Sequence, residues 1–343
     1  MRSRMSATLG CVGLTTLFGC VVLVKALPRS EFSIAAAASG DEISMPEMVG
    51  EGVISTNEDE FGGGTTPDGK TLIFCRSAAP HYLYVMGESQ LVGGKWTEPK
   101  MLPFSGQYRD TDPVIAPDGA SILFASDRPV NGQDLHRWSI WRVARLSDTT
   151  WGKPELVTGA INSEGSQVFA SVAANGNMYI ASSRKTGNYD VFRSRLVDGK
   201  YKDIEDLGAN LNGPGIDTFE AFIAPDESYL LMGSFGRVGG YGSSDLWLGF
   251  PVGTGWSKPI NLGPKINGPA RDYSPRVTAD GKWLYFTSEK GFIDAHKGQV
   301  FTFEAFNDGL KSVTNGLGNL YRVPLQAVLA AARESLREAT DSR

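Results

Sequence analysis

Polar residues recur along this 343-residue chain at intervals that group carboxylates. Glu60, Asp110, Gln167, Thr218 (beside Asp217) and Asp272 each stand eight residues before a second recurring position: Asp68, Asp118, Asn175, Asp226 and Asp280. Asp112 and Glu220 follow two residues after the first set in their repeats. Grouped carboxylates offer two chemistries. One is oxygen ligation of a divalent cation or polar ligand. The other is hydrolysis of a glycosidic bond, which needs two carboxyl groups roughly 5 to 9.5 Å apart. The candidates for that reaction are Asp110, Asp217, Asp272 and Glu60, and Gln167 interrupts the set. No calcium-loop spacing is present, so no cofactor is expected beyond a divalent cation in a channel. A structural role competes with both chemistries: such carboxylates can accept backbone amides of a neighbouring unit and hold it in register.

A second set is basic: Arg76, Arg128, Arg184, Lys185, Arg237 and Lys290. Of these, Arg128, Arg184 and Arg237 are the expected anchors for a partner. All three histidines, His81, His136 and His296, fall in equivalent segments, an arrangement that three loops could turn into a zinc or manganese site. Other strings carry little. Ser182 to Gly187 contains both Ser-x-x-Lys and Lys-Thr-Gly, but one lysine would serve both motifs, which belong on separate elements. There is no Gly-x-Ser-x-Gly, Walker loop or His-Glu-x-x-His.

The elements that position these residues form an internal repeat. Pro67-Asp68-Gly69 before Leu72-Ile73-Phe74 returns as Pro117-Asp118-Gly119 before Ile122-Leu123-Phe124. It returns again around Asn175, Asp226 and Asp280, at spacings of 50, 57, 51 and 54 residues. Each copy places a turn between two apolar runs and so reads as a β-hairpin. A third strand signal follows, as in Ile140-Trp141, Val191-Phe192, Leu246-Trp247 and Leu320-Tyr321. A fourth comes after Trp-x-x-Pro (Trp96, Trp151, Trp256) and before an Asn turn (Asn162, Asn212, Asn267). Four strands per repeat, a to d from the inside out, are the unit of a β-propeller. The fifth repeat lacks strand d, and Pro46 to Thr56 matches Pro154 to Ser163. An N-terminal strand therefore completes the last blade and closes an all-β ring of five blades, with six as the alternative count. Leu325 to Ala339 reads as an amphipathic helix after Pro324. The expected division is 1–40 signal peptide or anchor, 41–323 propeller and 324–343 helix.

Ala116-Pro117-Asp118-Gly119, Phe124-Ala125-Ser126-Asp127-Arg128 and Ile140-Trp141 resemble the WD40-like propeller repeat family of the TolB type, over residues 45–323. Asn175 and Glu227 depart from its Asp-Gly turn. The resemblance implies a propeller and an exported binding or scaffold protein, with enzymes among related propellers. There is no room for the second α/β domain of TolB, so its envelope-transport role does not carry over.

Arg2 and Arg4 before an uncharged stretch from Ser6 to Val24, then small residues at 35–40, have the layout of a secretory signal. A retained membrane anchor through residues 6–24 and a lipobox at Leu17 to Cys20 are the competing readings. All three place the protein outside the cytoplasm: periplasmic, secreted or membrane-anchored. Without residues 1–40 the net charge falls from −5 to −8, because four basic residues and one acidic residue are lost. Nucleic acid is thereby disfavoured as a partner. Only Cys75 remains of three cysteines, so no internal disulfide can form.

Strand direction alternates within a blade, so the d–a and b–c connections share one face. Strand a lines the channel, and the first set of residues is expected as an acidic collar at its mouth. The insertion from Glu289 to Gly318, with Phe292, Phe301, Phe303 and Phe306, is either a lid or a packed extension. The leading expectation is a binding protein for a protein or glycan on the loop-rich face. A carbohydrate hydrolase is the alternative.

Overall fold

Strand b of every repeat is apolar at successive positions because both of its faces are covered. In blade 1, Ile73 and Cys75 join a cluster with Ile122 and Phe124 of blade 2, while Leu72 and Phe74 turn to Tyr285 and Leu320 of blade 5. Leu123 and Ala125 of blade 2 meet Met178 and Ile180 of blade 3. Tyr179 then meets Leu230 and Met232 of blade 4, and Leu231 meets Leu284 and Phe286 of blade 5. Five apolar clusters thus fill five seams, and the core is a ring around an axis.

The computed structural model describes residues 42–341 apart from 79–81, 186, 296–297 and 299. The expected signal or anchor at 1–40 lies outside the described residues. Strands a are Asp59–Thr65, Asp110–Ile115, Gln167–Val172, Asp217–Ile223 and Asp272–Val277. Strands b are Thr71–Ala78, Ser121–Ser126, Met178–Ser182, Leu230–Phe235 and Trp283–Ser288. Strands c are Leu83–Val92, Ser139–Ser147, Asp190–Val197, Ser244–Gly249 and Asn319–Pro324. Neighbours pair antiparallel throughout, so this is a five-bladed propeller. The ring closes as the repeats predict: Glu47–Met48 is the outer strand of blade 5, with Glu47 opposite Arg322 and Met48 opposite Tyr321.

The turn between strands a and b explains its own sequence. In all five blades the Asp or Asn side chain accepts the backbone N–H two residues on, from Lys70, Ala120, Asn177, Ser228 and Lys282. The next residue takes positive φ, which suits glycine at Gly69, Gly119, Gly176 and Gly281. Blade 4 places Glu227 there at φ 59°. Its carboxylate accepts from Asn175 Nδ2, Asn177 Nδ2 and Tyr179 Oη of blade 3, at 2.8 to 3.0 Å, which offsets the strain.

The Asn turns act as side-chain strands. Asn162, Asn212 and Asn267 each accept a backbone N–H from strand c and return a bond to the same residue's carbonyl, at Ile140, Val191 and Leu246. Ser55 does this for Leu320 of blade 5, and Ser105 accepts the Met86 N–H of blade 1. One polar side chain per blade therefore fastens the crossover to the blade it leaves.

Helix α1 (Phe292–Ala295) and helix α2 (Phe303–Lys311) fill the blade 5 insertion. Phe292, Phe301 and Phe306 pack edge to face at 5.6 to 6.2 Å, and Gly309 lies flat against Phe292. These aromatics form a small core of their own. Helix α3 (Leu325–Asp341) buries Leu325, Val328, Leu329 and Ala332 on the seam of blades 4 and 5. Among the described residues no helix is long and apolar enough to cross a membrane.

Asn267 is fully buried and holds both bonds to Leu246. Asn267→Ala should cost about 2 to 3 kcal/mol, because it strands two backbone groups. Denaturant unfolding with an unchanged m-value checks this.

Candidate functional site

The first recurring set, at the start of strand a, does not face the channel. Glu60, Asp110, Gln167, Thr218 and Asp272 have no exposed surface. Their side chains turn into the blade. Asp110 Oδ1 accepts from Ser126 Oγ at 2.7 Å and from Arg128 Nη2 at 2.6 Å. Gln167 Oε1 accepts from Ser182 Oγ, and Thr218 Oγ1 bonds Ser234 Oγ. Glu60 accepts the Thr56 N–H and hydroxyl and meets Arg76 at 2.9 Å. Asp272 accepts the Gly268 N–H. Burial pushes Glu60, Asp110 and Asp272 above the usual carboxylate range, and Arg128 opposes the shift at Asp110.

The basic residues complete the same device. Arg128, Arg184, Arg237 and Lys290 donate to the carbonyls of Phe104, Ile161, Leu211 and Ile266, each in the crossover that enters their own blade. Arg128, Arg184 and Arg237 also donate Nε to the serine of strand b. Their guanidinium groups lie 5.0 Å from the Phe124 ring, 5.4 Å from Phe192 and 6.0 Å from Trp247. Burial lowers Arg184, and lowers Arg237 to about 10. These three arginines are therefore engaged inside the blades and are not displayed on loops. The acidic collar is corrected in the same way: its first residues serve as latches.

Period-two alternation hands the channel to the next residue. Phe61, Thr111, Val168, Phe219 and Tyr273 line a cavity of about 310 Å³ at the mouth on the b–c face. Tyr84, Trp138, Tyr189 and Phe235 join them from the loops and strand ends, with Arg271, Asp112, Asp217 and Glu220. Every blade contributes. Seven of these thirteen residues are aromatic, and Phe61–Tyr84, Tyr84–Trp138 and Phe219–Phe235 stand 5.8, 6.0 and 5.0 Å apart. The Arg271 guanidinium lies 4.1 Å over Tyr273 and 3.6 Å from Glu289, and Arg109 lies 4.9 Å over Trp138.

Backbone irregularities bring the carboxylates in. Strand a has a bulge at this level in all five blades. The extra residue interrupts the alternation, so Asp112 (φ 54°) and Glu220 turn to the axis. There they meet Arg276 of blade 5, which is 2% exposed. Arg276 donates to Pro113 O at 3.2 Å and Pro275 O at 3.0 Å, pairs with Asp112 Oδ1 at 3.4 Å and stacks 4.5 Å from Phe169. Gly62 of blade 1, at φ 66°, lies against it. Glu220 Oε1 accepts Ser274 Oγ at 2.5 Å, and Oε2 accepts the Ser274 N–H. Burial first, then the Asp112 charge, raises Glu220 to about 8.

Of the expected site residues, Asp112, Asp217 and Glu220 meet at the mouth. Glu60, Asp110, Gln167, Asp272, Arg128, Arg184 and Arg237 do not. His136 is 86% exposed beside Asp134, and His81 and His296 lie outside the described residues. Among the described residues no three His, Cys, Asp or Glu side chains are grouped to hold a metal ion. Cys75 is buried, and its thiol is pushed up by burial. Sequence reasoning missed the aromatic wall. Its signal was the aromatic residue following the start of strand a at Phe61, Phe219 and Tyr273.

Fold and mouth define the class: a five-bladed β-propeller with an aromatic, carboxylate-bearing cavity on its axis. No family model matches the sequence, and no curated protein matches it. Solved structures similar in fold include a protein described as a TolB of Agrobacterium tumefaciens, 18% identical over 67% of this chain and 70% of that one, with TM-score 0.46. An arabinanase of Bacillus subtilis is 12% identical over 78% and 94%, with TM-score 0.47. A gluconolactonase of Xanthomonas campestris is 11% identical over 82% and 95%, with TM-score 0.41.

Glu220 carries a prediction with a defined sign. Its proton is released near the ordinary value of 4.5 when the chain unfolds, and near 8 when it is folded. Its contribution to stability is therefore present below 4.5 and is lost as the pH rises through 8. Glu220→Gln keeps the shape of the protonated acid. It should melt a few degrees higher than the parent at pH 9, equal it near pH 5, and flatten the fall between them.

Proposed function

We propose that this protein is an exported binding propeller that captures a glycan in the aromatic mouth of its loop-rich face. The carrying observation is the wall of seven aromatic rings, drawn from five blades, around one cavity of about 310 Å³. That size is at the lower end of ligand cavities, which run from roughly 300 to 1,000 Å³. It suits a sugar unit or two more than a folded partner. Aromatic faces cover the apolar side of a sugar ring, and Asp217 and Arg271 meet its hydroxyls. Residues 1–40, with their signal-like layout, support action outside the cytoplasm.

Binding is better supported than hydrolysis. A glycosidase needs an acid and a second carboxyl group that both reach the bond. Here both Glu220 oxygens are held by Ser274. Asp112 is held by Arg276 and by the Thr111 hydroxyl. The full-length chain, tested on an immobilised glycan panel, should bind a subset of glycans. Tyr84→Ala and Trp138→Ala should each weaken that binding about tenfold or more in a chain that still unfolds cooperatively above the assay temperature, as loss of a buried aromatic anchor does. No binding to any glycan, or binding indifferent to both substitutions, overturns the reading.

A further inference from the structure

We infer that the sugar in this mouth is an amino sugar with a free amine, paired through its ammonium group with Asp217; this rests on the glycan-binding reading. The argument is an account of charge. Four ionisable side chains of fixed sign line the cavity: Asp112, Asp217, Glu220 and Arg271. Three are answered within the protein. Asp112 faces Arg276 at 3.4 Å. Arg271 faces Glu289 at 3.6 Å and is stacked on Tyr273. Glu220 is fully enclosed and both its oxygens are held by Ser274.

Asp217 is the exception. It begins strand a of blade 4, opposite Phe235, and its Oδ1 accepts the Tyr189 N–H of blade 3 at 3.0 Å. No Lys, Arg or His among the described residues pairs with it. Burial raises its pKa with no cation opposing. A half-buried carboxylate among aromatic rings is costly alone and becomes favourable when a cation arrives. The walls around it suit the same visitor. Phe61 and Tyr189 line the same cavity, whereas Trp138 already has Arg109 over its ring, and aromatic faces attract an ammonium group. A hexosamine carries both required parts: a ring for the aromatic wall and an ammonium group for Asp217. An N-acetylated sugar of the same backbone has the ring and lacks the charge.

That pair of ligands is the test. Short β-1,4-linked glucosamine oligomers and their fully N-acetylated counterparts differ only at the nitrogen. Calorimetric titration of the full-length chain at pH 6 should show the free amine bound about tenfold or more tighter, the scale of a hydrogen bond to a charged group. Asp217→Asn preserves the acceptor for Tyr189 and should bring the two affinities close to parity. Asp148→Asn makes the same change of charge at a side chain that is 92% exposed, and should leave the preference intact. Equal affinity of the parent for both oligomers overturns the inference and leaves the glycan reading standing. A preference that survives Asp217→Asn, or is lost equally in Asp148→Asn, also overturns it, because the attraction would then come from the acidic chain at large. Failure to bind these oligomers and every other glycan overturns both readings.

Discussion

Both faces of every blade in this protein are apolar, so no blade can be finished without its neighbours. Strand b carries the constraint: Leu72 and Phe74 look toward one seam, and Ile73 and Cys75 toward the next. Burial of that surface is complete only in a ring. The polar machinery follows from the same requirement. At each seam the chain must cross from the outer edge of one blade to the axis of the next, and the crossover carries backbone groups that need partners. One Asn or Ser ties it to the blade it leaves. In four of the blades an Arg or Lys ties it to the blade it enters, and in blade 1 Glu60 does so by accepting from Thr56. The recurrent Ser and basic residues are thus consequences of closure.

At the axis, five strands bring their side chains to one place, and something must fill it. Arg276 does, bonded to blade 2 and stacked on blade 3 beside Glu220 of blade 4. A guanidinium there needs acceptors, and the bulges supply them by turning Asp112 and two proline carbonyls inward. This plug makes the mouth a cavity with a floor. The aromatic rings of the mouth stand above it.

The fold was legible in the sequence to the level of blade number and closure, because repetition amplifies weak signals. Five copies of one turn, and a fourth strand missing at one end and present at the other, leave few arrangements. The site was legible only in part. Counting from the Asp turns finds the right strand and the right level, but period two makes an error of one residue an error of face. Glu60, Asp110, Gln167 and Asp272 were placed on the axis and in fact turn away from it. Asp112 and Glu220 stand at the axis, which they reach through bulges that no spacing reveals. Arg128, Arg184 and Arg237 sit in loops by sequence, yet the serine two or three residues earlier and the ring beneath draw each one inward. Trp138 and Tyr189 share one repeat position, directly before strand c, but blade 5 has Gly318 there, so the position carries no repeated aromatic signal.

The closing strand has a further consequence for how the chain acquires its shape. Glu47 meets Arg322 across 275 residues of sequence. Contacts that distant are paid for in loop entropy and form late. Until the last blade has emerged, Glu47–Met48 has no sheet to join, and the first and last seams stay open. Before that pairing forms the chain is an unlocked array of hairpins, and it locks once its two ends can find each other. A pull on the N-terminal segment acts directly on this two-residue strand, which no short chain connection ties to the strand it pairs with.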